Sequence, residues 1–243
     1  MPKSGKDITL VGRKLKVLVY GKAGTGKTTL AASFPKPYFF DFDDGLISVR
    51  GGDFLYDTFQ DVKRNGLIVK AATVDARKTL KLIENGTIEC DTIVIDSLTT
   101  FQDSAMTEVL QSENRKNAER QDWKTFADLI LDFVTRCMIL DKNFIMTAHE
   151  AYVEDLLNGK VYVSPYAMGK MVPRRLTNLF DEVYRSVAEK GKDKDGKIVT
   201  LYRLATKPDK SREAKSRLGW LSEKEESSYE ALMANSDTNK NGE

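Results

Sequence analysis

The sequence predicts an α/β domain: a mostly parallel sheet with helices on both faces and an antiparallel hairpin at its edge. Three observations lead there. Apolar runs of strand length recur at residues 15–20, 38–42, 92–96 and 144–147, with helix-like segments between several of them. These runs are apolar at consecutive positions, as in strands covered on both sides. Finally, Gly21-Lys22-Ala23-Gly24-Thr25-Gly26-Lys27-Thr28 fits the phosphate-loop pattern GxxxxGK[ST], set between a strand and a helix.

In chain order, residues 15–20 read as a buried strand and 29–34 as a helix stopped before Pro35. A second strand, 38–42, ends in Asp43-Asp44-Gly45. Residues 46–72 are less regular, with a turn at Gly51-Gly52 and a short strand at 67–69. Helical spacing over 75–84 precedes the central strand 92–96, and 100–111 reads as helix. After a charged stretch, 112–122, a helical stripe of Trp123, Phe126, Ala127, Ile130, Leu131, Val134 and Met138 is expected in the core. The segment 151–176 is long, and its composition suits either contact with single-stranded DNA or an ordinary solvated loop with a helix starting after Pro173. Residues 182–188 and 198–205 are strand-like around a charged turn, which suggests the edge hairpin. The expected domain spans 14–222, with an N-terminal extension at 1–13 and a C-terminal tail at 223–243, frayed at its end.

Composition excludes several classes. At 243 residues the chain supports one sizeable core. A net charge of +2 does not predict a nucleic-acid binder and leaves room for a local basic stripe. One histidine and two cysteines without metal spacing exclude a histidine-rich metal centre. Cys90 and Cys137 lie in apolar segments and read as buried thiols of a reducing compartment. No apolar run is long enough to span a membrane and no leader is visible, so a cytoplasmic setting is expected. The aspartates of the turn 190–197 lack most ligands of a calcium loop.

The chemistry is expected around the phosphate loop. Its glycines let backbone N–H groups turn toward phosphate oxygens, and Lys27 reaches the terminal phosphates of a bound triphosphate. Residues 21–28 and Thr29 form the expected nucleotide cradle, and the Thr28 hydroxyl is placed to hold magnesium. Asp96, at the end of the central strand, is the expected second magnesium acid, with capping of the next helix as its rival role. Hydrolysis needs a group to orient or deprotonate water. Asp43 is preferred, Asp44 stands second, and Asp41 points into the end of the sheet. His149 and Glu150 follow the strand 144–147 and are candidate sensors of the γ-phosphate. Lys160, Tyr162, Tyr166, Lys170, Arg174 and Arg175 interleave cations with rings, a composition suited to single-stranded DNA. Arg212 or Arg217 is the candidate positive residue that reaches a nucleotide on a neighbouring subunit.

Together these pieces resemble the bacteriophage nucleotide-binding ATPases of the RecA-like recombinase class, especially small single-domain proteins that assist single-strand annealing. The likeness rests on the phosphate loop, Phe34-Pro35-Lys36-Pro37, Phe39-Phe40-Asp41 and Ile93-Val94-Ile95-Asp96-Ser97-Leu98-Thr99. Thr147-Ala148-His149-Glu150, Phe180-Asp181-Glu182-Val183-Tyr184 and Lys215-Ser216-Arg217 complete it over roughly residues 14–220. The resemblance implies a RecA-like P-loop core that binds ATP and magnesium at a subunit interface. It also implies self-association into an oligomer or filament on DNA, with a single-strand DNA-binding protein as a possible companion. The family's catalytic glutamate matches the shorter Asp43, its glutamine sensor matches His149, and its DNA loops loosely match 112–122 and 153–172. The extra domains of full-length recombinases are missing, which favours annealing or an accessory role.

Three rivals stand beside this reading. Thr206-Lys207-Pro208-Asp209 matches the guanine-reading pattern [NT]KxD, although no DxxG motif supports a GTPase. Residues 164–175 could pose as the lid of a small-molecule kinase. A module that clamps ATP with little turnover is the third.

Overall fold

The computed structural model describes residues 12–65, 67–154, 159–192 and 196–234. The chain runs β1 (Lys16–Tyr20), α1 (Lys27–Ala32), β2 (Pro37–Asp41), a 3₁₀ turn at Leu46–Val49, β3 (Leu55–Thr58), β4 (Val62–Arg64) and β5 (Leu67–Lys70). It continues through α2 (Ala72–Glu84), β6 (Thr92–Asp96), α3 (Leu98–Ser112), α4 (Asp122–Ile139), β7 (Asn143–Ala148), β8 (Glu150–Glu154) and β9 (Val161–Pro165). Last come α5 (Met171–Leu179), β10 (Glu182–Lys192), β11 (Ile198–Ala205), β12 (Lys224–Glu226) and α6 (Tyr229–Met233).

An eight-stranded sheet in the order β12-β11-β10-β1-β7-β6-β2-β3 organises the molecule. From β10 to β3 the neighbours are parallel; β11 and β12 are antiparallel additions. Side chains alternate faces along each strand, so one strand feeds two cores. Leu18, Tyr20, Phe40, Ile93, Ile95, Phe144 and Met146 pack under the helices α2 to α5. Val17, Val19, Phe39, Val94 and Ile145 pack on the other face with Leu30 and Ala31 of α1 and Leu232 of α6. This is the α/β fold of a P-loop NTPase core, with the expected antiparallel β10–β11 hairpin. Cys90 and Cys137 are buried free thiols. Among the described residues, no helix is long and apolar enough to cross a membrane.

Several elements differ from the sequence expectation. Residues 46–72 hold three strands: β3 edges the main sheet, while β4 and β5 form a small hairpin. The segment 151–176 is not a long loop, because β8 and β9 pair as an antiparallel hairpin. Helix α5 begins at Met171 rather than after Pro173. Proline is tolerated there because first-turn N–H groups have no helical acceptor. Trp123 is not a core residue; it is 37% exposed, and the α4 core is Phe126, Ala127, Ile130, Phe133, Val134 and Cys137. Residues of the expected C-terminal tail join the fold. Strand β12 pairs with β11, the Trp220 indole donates to the Leu232 carbonyl at 2.9 Å, and the Tyr229 ring lies 4.7 Å from Phe34. The N-terminal extension up to residue 11, the possible calcium aspartates Asp193 and Asp195, and the chain end from 235 lie outside the described residues.

Candidate nucleotide-binding site

The phosphate loop leaves the carboxyl end of β1, where a parallel sheet gathers its ligand-binding loops. Gly24 and Gly26 adopt positive φ angles of 76° and 88°, conformations that disfavour any residue with a Cβ. The loop is braced from both sides. The Gly21 N–H donates to the Ala148 carbonyl of β7 at 3.2 Å, and the Ser186 hydroxyl of β10 donates to the Thr25 carbonyl at 2.7 Å. At Gly21 a Cβ would come within 2.4 Å of the Ser186 carbonyl oxygen, so glycine is required for this close approach. The Thr25 hydroxyl closes the loop on the Lys22 carbonyl at 2.9 Å. Lys22, Ala23, Gly24 and Thr29 are exposed around it.

Strand order then decides which residues face the loop. β7 lies between β1 and β6, so Asp96 stands two strands from Tyr20 at the same edge. The buried Asp96 carboxylate accepts the Thr28 hydroxyl at 2.7 Å and, on its other oxygen, the buried Thr147 hydroxyl. Beside it, the Ser97 hydroxyl is buried without a partner among the described residues. Burial pushes the Asp96 carboxyl up, against the two threonine hydroxyls, and the nearby Asp43 adds to the rise. Lys27 donates to the carbonyls of Gly21 at 3.1 Å and Lys22 at 2.9 Å. Burial pulls its ammonium down, opposed by Asp96, Asp43 and Glu150. In both groups desolvation outweighs their mutual attraction. Each is therefore a charge that a ligand of opposite sign would stabilise.

These donors fit a magnesium–triphosphate complex. Thr28 and Asp96 are the residues that would hold the ion, since magnesium is bound by few protein oxygens together with substrate phosphates. No cluster of three His, Cys, Asp or Glu that could hold a metal by itself occurs among the described residues. The loop amides and Lys27 would hold the phosphates.

The remaining candidates divide. Asp43 is exposed and accepts the Thr100 hydroxyl from α3, which fixes it near Asp96 and Lys27. Asp44 is an exposed turn residue with a φ of 53°. Asp41 is buried and accepts the N–H groups of Asp43 at 3.2 Å and Gly45 at 3.3 Å, so it shapes the turn. His149 is exposed; its N–H donates to the Thr99 hydroxyl at 3.3 Å, and its carbonyl accepts from the Tyr166 N–H at 2.8 Å. Glu150 pairs with Arg185 of β10 at 3.1 Å. Tyr162, Lys170 and Arg212 come together around a groove of 990 Å³ between the β8–β9 hairpin and α5. Arg175 is exposed on α5, Tyr166 is 39% exposed, Lys160 lies just before β9, and the Arg174 side chain is outside the described residues.

Neither C-terminal arginine faces the loop of its own chain as an unengaged cation. Arg212 pairs with Asp209 at 2.6 Å. Arg217 pairs with Asp181 at 2.6 Å, beside the start of β10, at the sheet end opposite the phosphate loop. Asp209 also accepts from the Ser211 N–H at 2.7 Å and hydroxyl at 2.6 Å, so its oxygens serve their own turn rather than a guanine. The lid-like segment 164–175 is anchored to the core through the buried Val172. Thr147, Thr100, Ser186 and Arg185 were not singled out by sequence reasoning. Only Thr147 had a visible signal, its place in the strand-end motif before His149.

Fold and site define a P-loop nucleoside triphosphatase core. A family model described as the AAA domain matches residues 13–218. The chain belongs to the AAA domain family, a family of nucleotide-binding proteins that are generally ATPases. A search of curated proteins finds no match.

Proposed function

We propose that the chain is a magnesium-dependent ATPase that acts on single-stranded DNA in bacteriophage recombination, annealing or replication. The observation that carries the ATPase reading is the Thr28–Asp96 hydrogen bond beneath the phosphate loop. It joins the two side chains that would hold a magnesium ion at the place where terminal phosphates would sit. Asp43, oriented by Thr100, orients the attacking water. His149 senses the γ-phosphate and passes the signal through its carbonyl to Tyr166. Support for the DNA reading comes from the groove that gathers Tyr162, Lys170 and Arg212. The pairing of Arg217 far from its own loop supports action on a neighbour's nucleotide, hence an oligomer or filament. The buried free thiols accord with a reducing, cytoplasmic setting.

The test is ATPase rate and particle size measured together, with and without single-stranded DNA; both are expected to rise. If neither responds to any DNA, the DNA reading falls while ATP hydrolysis stands. A second reading, a nucleotide clamp with little turnover, is favoured by the same Thr100 contact, because it occupies an Asp43 oxygen. Under that reading, Asp43→Asn leaves the turnover rate as it was, while Lys27→Ala abolishes ATP-dependent assembly.

A further inference from the structure

Sequence periodicity puts Trp123 in the core, but the fold leaves it at the rim of a cavity. The pocket has a volume of 590 Å³ and is lined by Arg120, Trp123, Phe126, Met168, Lys170 and Met171, among others. The indole is held in place. Its ring lies 5.9 Å from Phe126 in an edge-on arrangement, and Gly169, with a φ of 74°, packs so closely that a Cβ there would come within 3.1 Å of it. A fixed, partly exposed ring beside a cavity is what stacking on a planar ligand requires.

Charge decides which ligand. Arg120 and Lys170 flank the pocket, and neither forms an ion pair with a described residue. Their neighbours do: Arg115 pairs with Asp122, and Lys124 pairs with Asp128. Lys170 also lines the 990 Å³ groove that holds Tyr162 and Arg212. The surface thus alternates ring pocket, cation and ring groove. A single nucleic-acid strand offers the complementary alternation of base, phosphate and base. An apolar protein segment would leave both cations without a counter-charge.

We propose that the Trp123 pocket receives an unpaired base of single-stranded DNA, with Lys170 and Arg120 on the flanking phosphates. This rests on the single-stranded DNA reading above and adds to it a base-stacking site. The protein would be titrated with oligothymidylate and with an abasic deoxyribose-phosphate strand of equal length, following Trp123 emission in a Trp220→Phe background. The oligothymidylate should quench Trp123 and the abasic strand should not. Trp123→Ala should lower oligothymidylate affinity by about 5- to 150-fold, the range of one base–aromatic stack, and Trp123→Phe should restore most of it. Where Trp123→Ala fails to fold, the emission response and the Phe variant decide. Binding without quenching, at unchanged affinity in the variants, overturns the pocket assignment and leaves the DNA reading standing. Quenching that follows protein concentration without DNA gives the pocket to a second copy of the chain and overturns the assignment. No binding of the wild-type protein to any single strand, with or without Mg-ATP, overturns both.

Discussion

The Thr28 hydroxyl donates to the Asp96 carboxylate at 2.7 Å across 68 residues of sequence. Thr28 follows the phosphate loop on α1, and Asp96 ends β6, with β7 lying between β6 and β1. The intervening strand contributes a second donor, Thr147, whose hydroxyl takes the other carboxylate oxygen. Asp96 is therefore fixed from two directions before any ligand arrives, and such fixing is what preorganises an ion site.

Thr147→Val should expose how much the second donor matters. Valine matches threonine in shape but removes the hydroxyl, so one oxygen of a buried carboxylate loses its partner. The expected loss is about 1.5–3 kcal/mol in urea unfolding, the range for hydrogen bonds to charged groups. Mg-nucleotide affinity should fall with it. An unchanged unfolding midpoint would show that the carboxylate finds another donor.

The loop itself predicts two distinct glycine effects. Gly26→Ala forces a Cβ residue to a φ of 88°, costing about 1–2 kcal/mol of backbone strain, and sets that Cβ 3.0 Å from the movable Tyr202 ring. Gly21→Ala meets the Ser186 carbonyl instead, a collision within β10 rather than a torsional one, and costs about 1–3 kcal/mol by overpacking. Both should weaken nucleotide binding in a fluorescent-nucleotide titration. Loss of stability without loss of affinity in Gly21→Ala would mean that β10 does not shape the cradle.

Glu150 and Arg185 form a pair in which the Glu150 side chain is only 5% exposed. Removing one partner leaves the other charge poorly solvated, an effect of about 3–5 kcal/mol for fully buried pairs and smaller here because Arg185 is 21% exposed. Arg185→Met should destabilise more than the double change Arg185→Met with Glu150→Gln. Thermal unfolding of the double-mutant cycle measures the difference; additive effects would show that the pair is not coupled.

Much of this arrangement could be read locally, and the failures have a common cause. β1, β6 and β7 are buried on both faces, so their apolar runs are visible without knowing their neighbours. The phosphate loop is a local chain geometry, and glycines mark it. Ser186 is different: it braces Thr25 from 161 residues away, and nothing local in its strand announces the contact. In β12 the sequence Lys-Glu-Glu is too short and polar to show a period. On α4 the stripe was right in kind but wrong in phase at its ends. Phe133 and Cys137 are fully buried, whereas Trp123, in the first turn, packs on Phe126 and stays 37% exposed.

Lys16 gives a pH test remote from the site. Its ammonium donates to the carbonyls of Cys137, Leu140 and Lys142 at the end of α4 and the turn after it. Burial pulls its pKa down from 10.5 to about 8. Between these values the unfolded chain binds more protons at this residue than the folded one, so its contribution to stability rises with pH across that window. Stability measured from pH 8 to 10.5 in wild type and Lys16→Met should therefore diverge, with the difference growing in favour of wild type. Parallel curves would mean that the three carbonyls offset the burial.

Arg217 yields the sharpest test of assembly, because its position separates two explanations of any loss of activity. It sits with Asp181 at the amino end of β10, while Lys27 lies beyond the carboxyl end of β1. A cation placed there lies at the sheet end away from its own phosphate loop, so a role at a nucleotide would require a neighbour stacked end to end. Arginines that act in trans contribute about 10³–10⁵ in kcat in other P-loop enzymes. Arg217→Ala should therefore lose most turnover, and Lys27→Ala should lose nucleotide binding. Mixed together, the two inactive variants should regain activity, since a Lys27→Ala subunit still presents Arg217 to the intact loop of its neighbour. The recovered rate should rise with total protein concentration. Both arginines are paired, but the Arg217 side chain is 55% exposed and that of Arg212 only 19%, so Arg212→Ala should fail to reproduce this complementation. If the mixture stays inactive while Arg217→Ala alone keeps its fold, Arg217 acts within its own chain through Asp181, and the interface model for catalysis is wrong.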